Sequence, residues 1–266
     1  MTTPWKQSTK SINNILEADI YTMLNYVSFE FEAKFIEACL GTVPKDPDVY
    51  ANYVASKLEK KLSLEGDEEK IAKMQEEEIA TVDTIGPDGE KLSKDEARGW
   101  TGFHKDEEGI FVYNYSLLGN IKSNIRVLNE NKAIQKIKAF KKACDLYLVI
   151  EPRRLRFYRN NLPLDGPDGF EKIEDNKYKV VDAVSSLERS LRASGPQGER
   201  ITIVRSDKIN PGTMFRFTVK LLRNDLGLTP DALIKALKMG ELCGMGQWRG
   251  SGSYGTYSTR LVKKHK

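Results

Sequence analysis

Two stretches of the chain alternate apolar and polar residues with the two-residue period of a half-buried β-strand. In residues 28–38, Phe29, Phe31 and Phe35 alternate with charged side chains. In residues 213–221, a second row of apolar side chains alternates with arginine, threonine and lysine. Both stretches are predicted to lie in a sheet with one face in the core, and the outer face of the second strand is predicted to be basic.

Helices are indicated by apolar residues at helical spacing and by residues that favour helix starts. One helix is predicted for residues 48–61. A second is predicted for residues 116–127, with Ser116 as its N-cap. A third begins at Thr229, which is followed by a proline that suits the first helical position.

The remaining segments divide between short strands, hairpins and an insertion. Short strands are predicted at residues 146–150 and 256–262, and hairpins at residues 153–182. Residues 62–98 begin with a run dense in Glu and Lys, which predicts a peripheral, charged insertion of helix and loop. Strands that alternate with helices in this way predict an α+β fold, organised as a single elaborated domain over residues 1–266.

The composition excludes several classes of protein. The net charge of +4 permits a polyanionic partner without requiring one. The three cysteines are widely separated and the only histidines are His104 and His265, so no disulfide framework, metal centre or cofactor is predicted. No apolar run is long enough to cross a bilayer and no secretory signal is visible, so we expect a cytoplasmic protein without a membrane partner.

The most informative motif is a glycine-rich loop at residues 244–255, GMGQWRGSGSYG. Residues 240–255 contain six glycines, which let a backbone approach another closely or present N–H groups to phosphates. Gln247, Trp248 and Arg249 add an amide, a stacking surface and a guanidinium, the groups that nucleic-acid grooves use. The alternative is a turn that closes the sheet, with Trp248 in the core. A dinucleotide or P-loop site is disfavoured, because the loop follows a helix and lacks the Gly-Lys-Ser/Thr ending.

The order of several motifs resembles that of the RAMP superfamily of CRISPR-associated proteins. These are Pro211-Gly212-Thr213 with its strand, the helix that follows, and the glycine-rich loop. Residues 115–126 also resemble that superfamily's Ser-x-(x)-Lys-Gly-x-x-Arg helix start. With the GTVPK segment at residues 41–45, the set is most similar to uncharacterised RAMP-like proteins of phages and mobile elements. The resemblance implies a ferredoxin-like or RRM-like sheet, with helices on one face, that binds single-stranded RNA.

Resemblance and charge pattern together predict a nucleic-acid interface. The resemblance places Lys122 and Arg126 beside an RNA backbone and the loop glycines along it, although a solvated helix face would also explain the two cations. Residues 153–159 interleave arginine with aromatic residues, which suits phosphate contact and base stacking but equally fits an exposed amphipathic strand. The predicted contacts are Lys122, Arg126, Arg153, Arg156, Gly244, Gly246, Gln247, Trp248, Arg249, Gly250, Ser251, Gly252, Tyr254 and Gly255.

Only one internal histidine is available for catalysis. His104 lies in residues 99–109, which are predicted to form a long loop, and it could act as the general base of a metal-independent endoribonuclease. A surface histidine without a role is the simpler interpretation. Asp83 and Asp88 could position a phosphodiester, although turn formation is sufficient to explain Asp88. No catalytic residue is assigned, and a protein without enzymatic activity is favoured.

Three functional hypotheses follow. The first is a RAMP-like subunit that binds single-stranded RNA, or single-stranded DNA, through its backbone and assembles along the strand with itself or related subunits. The second is a metal-independent endoribonuclease. The third is a phage or mobile-element protein-interaction or anti-defence factor that uses the fold without nucleic acid, with the charged insertion as its contact.

Overall fold

The computed structural model describes residues 25–54, 68–86, 89–160, 178–181, 184–195, 198–250 and 252–265. The strands are β1 (Tyr26–Phe35), β2 (Cys39–Leu40), β3 (Val43–Pro44), β4 (Trp100–Gly102), β5 (His104–Asp106), β6 (Gly109–Tyr113), β7 (Leu148–Glu151), β8 (Arg154–Arg156), β9 (Tyr158–Asn160), β10 (Tyr178–Val180), β11 (Ser185–Gly195), β12 (Gly198–Ile209), β13 (Met214–Leu222) and β14 (Tyr257–His265). The helices are α1 (Glu68–Ala80), α2 (Lys94–Ala97), α3 (Asn114–Glu130), α4 (Phe140–Tyr147) and α5 (Pro230–Lys238). A 3₁₀ turn covers Met239–Glu241, and residues 47–54 are also helical.

The central sheet and two of the helices follow the ferredoxin-like arrangement. In chain order the elements are β1, α3, β7, β13, α5 and β14, which is a β-α-β-β-α-β unit. In the sheet the strand order is β7-β13-β1-β14, and each neighbouring pair is antiparallel. The expected fold class, an α+β ferredoxin-like or RRM-like sheet, is therefore confirmed.

The core lies between this sheet and helices α3 and α5. The alternating phenylalanines of β1 and β13 supply its sheet side, and the apolar stripes of the two helices supply the other. The buried residues include Phe29, Phe31, Phe35, Phe215, Phe217, Leu117, Ile121, Ile125, Leu233 and Leu237. The alternation seen in the sequence thus gave the correct face of both strands, because burial on one side of a pleated strand repeats every two residues.

One of the two predicted helix caps is present. Thr229 caps α5, since its side chain accepts a hydrogen bond from the backbone N–H of Ala232, and proline takes the first helical position. The prediction that Ser116 caps the second helix is wrong. Helix α3 begins at Asn114, directly after strand β6, and the N-cap residue Tyr113 makes no side-chain cap bond.

The face of the sheet opposite the core is charged but internally paired. Glu32 of β1 is fully buried and accepts hydrogen bonds from Arg216 of β13 at 3.1 Å and from Arg260 of β14 at 2.8 Å. Lys220 of β13 donates to Glu151 of β7 at 2.9 Å. The outer face of the second predicted strand does carry basic residues, as expected, but carboxylates on neighbouring strands balance them.

A second sheet, not predicted from the sequence, projects beside the first. Strands β11 and β12 form a long antiparallel hairpin, and β12 continues into the body of the protein, where it pairs in parallel with β4. Strand β3 extends this sheet on the far side of β4, and β2 also pairs with β12. The expectation of a long loop at residues 99–109 is wrong, because strands β4, β5 and the start of β6 occupy it.

The remaining segments agree in part with the sequence. Strands β9 and β10 pair antiparallel, so a hairpin does occur within residues 153–182, although residues 161–177 lie outside the described part. Strand β8 joins β5 and β6 in a small third sheet. The insertion contains the predicted charged helix as α1, and the helix expected at residues 48–61 is described over residues 47–54.

Candidate nucleic-acid interface

The glycine-rich loop joins helix α5 to strand β14 and is tied to the sheets at both ends. The N–H of Met245 donates to the carbonyl of Gly255 at 2.9 Å, which closes the loop on itself. The N–H of Gly255 donates to Ala38 at 2.8 Å, and that of Gln247 donates to Leu40 at 3.4 Å. These bonds dock both ends of the loop against the segment that follows β1.

A buried asparagine of helix α3 fixes the start of the loop. The Asn120 amide donates to the carbonyls of Gly244 at 2.6 Å and Cys243 at 3.0 Å, and its oxygen accepts from the Tyr257 hydroxyl at 2.7 Å. Asn120 is only 1% exposed, so each of these polar groups depends on the others for its hydrogen bonds. Burial also raises the pKa of Tyr257, which keeps its hydroxyl protonated as a donor.

Several loop glycines are required by contacts within the protein itself. Gly255 has φ +68°, and a Cβ at this position would lie 1.9 Å from the Met245 carbonyl oxygen. Gly246 has φ +82°, and its Cβ would lie 2.4 Å from the Leu40 carbonyl oxygen. At Gly250, by contrast, an added Cβ would have nothing within 4 Å. The tip of the loop is therefore open, whereas its base packs backbone to backbone.

The loop presents two aromatic rings to an arginine of the hairpin. The guanidinium carbon of Arg189, on β11, lies 4.7 Å from the centre of the Tyr254 ring and 5.4 Å from the centre of the Trp248 ring. Its Nη2 donates to the Tyr254 hydroxyl at 2.5 Å. All three side chains are half-buried, and Arg249 beside them is exposed. We call Arg189, Trp248 and Tyr254 the Arg189 cluster.

A row of polar side chains extends from this cluster across the hairpin. Ser206 of β12 donates to the side-chain oxygen of Gln247 at 3.1 Å, and its hydroxyl lies 3.0 Å from that of Thr101 on β4. Ser206 and Arg189 lie on the same face of the β11–β12 hairpin, because the residues paired with Arg189 and Leu187 are Val204 and Ser206. Ser206 is buried, so this row of hydrogen bonds connects the loop to the hairpin and to β4.

The other face of the hairpin holds a buried ion pair. Lys45 lies 2.9 Å from Asp207, which also accepts a hydrogen bond from the Trp100 indole at 2.8 Å. Burial raises the pKa of Asp207, and the adjacent Lys45 opposes that shift. This network attaches β12 to β4 and to the segment after β3, and so holds the base of the hairpin in place.

Helix α3 separates two predicted contacts from the loop. Asn120 and Asn124 face the loop and α5, whereas Lys122 pairs with Asp145 of α4 and Arg126 lies 4.0 Å from Glu130 on the solvent side. The structure therefore does not bring Lys122 and Arg126 together with residues 244–255. Ser251 lies outside the described residues.

The arginines of residues 153–156 are held by acidic partners from two other elements. Arg153 and Arg154 pair with Glu77 of α1 at 3.0 and 2.6 Å, and Arg156 pairs with Asp106 of β5 at 2.7 Å. Hydrogen bonds from Arg156 and Arg154 hold the pKa of Asp106 at about 2. The predicted contacts Arg153 and Arg156 are thus engaged within the chain and do not adjoin the Arg189 cluster.

The expectation that His104 lies on a surface loop is wrong. His104 is 3% exposed in strand β5, with its Nδ1 3.0 Å from the Thr81 hydroxyl and its Nε2 3.4 Å from the Tyr50 hydroxyl. Burial and, to a smaller extent, the positive charge of nearby Arg154 lower its pKa to about 4. A side chain enclosed in this way does not reach a substrate phosphodiester. Of the two acids that could position a phosphodiester, Asp83 lies 3.7 Å from Lys45, and Asp88 lies outside the described residues.

The buried His104 predicts a defined pH dependence of stability. Its pKa is about 4 in the folded protein and 6.5 ordinarily, so the unfolded chain binds the proton first as the pH falls. Stability from the neutral imidazole is therefore complete above pH 6.5 and is lost between pH 6.5 and pH 4. The difference corresponds to about 3 kcal/mol. Urea unfolding across this window measures the loss, and His104→Gln should flatten it; an unchanged slope would contradict the assignment.

Comparisons with known proteins find similarity to solved structures only. No family model and no curated protein matches the chain. A structure of the type III-B Cmr-beta bound to cognate target RNA, determined by cryo-EM, aligns over 96% of this chain with 11% sequence identity and a TM-score of 0.42. The alignment covers 64% of that neighbour, so this chain spans less than two thirds of its length. The fold assignment above rests on the strand order of this chain itself.

In the part of the chain that the structure describes, no helix is both long and apolar enough to cross a membrane. No group of three or more His, Cys, Asp or Glu side chains in that part could hold a metal ion.

Proposed function

We propose that the protein binds single-stranded nucleic acid, RNA in preference to DNA, where the glycine-rich loop meets the β11–β12 hairpin. The observation that carries this proposal is the Arg189 cluster next to the exposed Arg249. Guanidinium groups bind phosphates, and aromatic rings stack on bases that only an unpaired strand leaves accessible. RNA is the first ligand to test, because the motif order resembles that of RAMP proteins.

The pairing of the arginines in residues 153–156 supports this location. Arg153, Arg154 and Arg156 are neutralised by Glu77 and Asp106, so a polyanion would have to displace a carboxylate to reach them. Arg249 instead stands exposed at the open tip of the loop, next to Gly250. Backbone contacts there would carry little sequence information, which is consistent with binding that tolerates many sequences.

A salt-titrated binding assay tests the proposal. Fluorescence anisotropy with labelled single-stranded RNA, single-stranded DNA and duplex should show affinity that falls steeply with salt and is weakest for duplex. Arg249→Ala should weaken binding several-fold and reduce the slope of log K against log salt by about 1. Sizing of the complex in the same samples shows whether copies assemble along the strand.

Arg126→Ala is the matched control for Arg249→Ala. Arg126 is also exposed, but it lies on the solvent side of α3, away from the loop. We expect this variant to bind like the unaltered protein. If instead Arg126→Ala weakened binding and Arg249→Ala did not, the interface would lie on α3, where the resemblance placed Lys122 and Arg126.

One observation favours a second function, that of a protein-interaction module. Ile201 and Ile203 stand on the face of the β11–β12 hairpin opposite the Arg189 cluster, and they are 62% and 64% exposed. Exposed isoleucines in a row on one strand are typical of a contact surface for another protein. Purified material free of nucleic acid, together with failure to bind any labelled oligonucleotide at low salt, would favour this function over the first.

A further inference from the structure

The Arg189 guanidinium lies against the two aromatic rings of the loop. A guanidinium is planar and delocalised, and it stacks on aromatic faces much as a nucleobase does. The Arg189 guanidinium lies over both the Trp248 and Tyr254 rings, within 5.4 Å of each ring centre. Both rings therefore already have a planar, delocalised group close to them.

The backbone of the loop is strained at Trp248 and at Ser253, the residue before Tyr254. Trp248 has φ +57° and Ser253 has φ +55°, in the left-handed region that bulky residues rarely adopt. Each such residue costs about 1–3 kcal/mol, and strain of this kind clusters at ligand sites. The two strained residues flank the tip of the loop, with Tyr254 directly after the second, so the distorted backbone carries both rings.

The part of the loop between Trp248 and Tyr254 is exposed at several described positions. Gly250 has no neighbouring atoms within 4 Å of an added Cβ, and Arg249 and Ser253 are exposed. A strand that passes the tip of the loop could therefore place a base against Trp248 without moving the core. Phosphates on either side of that base would lie within reach of long cationic side chains.

We propose that Trp248 and Tyr254 form a stacking site for one nucleobase, and that Arg189 fills this site until nucleic acid displaces it. The inference rests on the proposed function. On binding, the neutral base takes the ring faces and the Arg189 guanidinium leaves them to pair with a flanking phosphate.

Removal of the bases from the ligand tests the exchange directly. Oligoadenylate is compared with an oligonucleotide of equal length in which abasic residues replace every adenine. Trp248→Leu should lower the affinity for oligoadenylate by roughly 5- to 100-fold, the range expected for loss of one stacked base, and leave the affinity for the abasic ligand unchanged. Trp248→Phe keeps a ring and should retain most of the affinity for oligoadenylate.

Arg189 gives a second, independent readout. If its guanidinium moves to a phosphate only when a base takes its place, Arg189→Gln should reduce the salt slope by about 1 for oligoadenylate and not for the abasic ligand. Arg192→Gln, on the opposite face of the same strand, is the control and should leave both slopes unchanged. Equal effects of Arg189→Gln on the two ligands would mean that the guanidinium does not change place.

The possible failures are distinguishable. If the unaltered protein binds neither ligand at low salt, the proposed function itself is wrong. If it binds both, but Trp248→Leu weakens both equally or neither, the stacking site is wrong while nucleic-acid binding stands. Thermal melts establish that each variant is folded, and Tyr254→Leu replaces Trp248→Leu should the latter fail to fold.

Discussion

Gly255→Ala is expected to destabilise the protein by about 2–5 kcal/mol. A left-handed backbone costs a residue with a Cβ about 1–2 kcal/mol. That Cβ would also lie 1.9 Å from the Met245 carbonyl oxygen, and the backbone shift needed to relieve such overlap costs about 1–3 kcal/mol more. Thermal unfolding should show a midpoint lower by about 5–15 °C for a chain of this length.

Gly250→Ala is the control within the same loop. An added Cβ there meets nothing within 4 Å, so the melting temperature should remain within about 1 °C of that of the unaltered protein. Both substitutions add one methyl group to the same loop, but only Gly255 has a left-handed backbone and a carbonyl oxygen in the place of the new Cβ. Equal effects at both positions would show that the loop base is not packed backbone to backbone.

Asn120→Leu is expected to cost about 4 kcal/mol in unfolding free energy, the second large effect. Leucine keeps the branched shape of the asparagine side chain but is larger and apolar. It leaves the carbonyls of Gly244 and Cys243 and the Tyr257 hydroxyl without the partner that Asn120 provides. Each buried polar group left unsatisfied costs about 1–3 kcal/mol. Urea denaturation measures the loss, and an effect below about 1 kcal/mol would contradict this role of Asn120.

Two variants separate the contributions to this network. Tyr257→Phe removes only the hydroxyl that donates to Asn120, so its cost should be about 1 kcal/mol, and the double variant should cost less than the sum of the two single variants. Asn131→Leu is the matched control, because Asn131 is an exposed asparagine at the end of the same helix. It should have little effect on stability.

The hydrogen bonds of Asn120 should also affect nucleic-acid binding. Asn120 fixes the end of the loop that leads to Trp248, so a loosened start of the loop also loosens the Arg189 cluster. We therefore expect Asn120→Leu to weaken nucleic-acid binding even where the variant is folded. Tyr257→Phe, which leaves the bonds from Asn120 to the loop carbonyls in place, should bind almost normally.

The sequence was most informative for strands and helices that bury one face, because their apolar residues recur at a regular spacing within a short segment. Strand β13 and helix α5 were predicted from apolar periodicity and from Thr229, because one buried face leaves a pattern within a few residues. The β11–β12 hairpin was missed for the converse reason. In the described part of β11 the half-buried positions are Leu187, Arg189 and Leu191, so a charged residue interrupts the apolar row. On β12, Ile201 and Ile203 point outward on the opposite face, so the apolar residues of the two strands do not mark one common buried face.

In the candidate site, too, the sequence indicated some residues and missed others. Glycines and Trp248 singled out the loop, because they are unusual in composition. Arg189 carried no such signal, and it meets Tyr254 across 65 residues of sequence only because the hairpin folds back over the loop. His104 and Arg156 looked available in the sequence, yet the fold encloses the first and pairs the second with Asp106.

The sequence by itself determined the α+β class, the phenylalanine faces of the central strands, the capped start of α5 and the position of the glycine-rich loop. Each depends on neighbours close in the chain, where side-chain period and backbone freedom act directly. Only the tertiary structure decided which cations face the loop, which carboxylates neutralise the others, and what the glycines pack against. Those outcomes depend on contacts between segments distant in sequence, and a one-dimensional pattern does not contain their geometry.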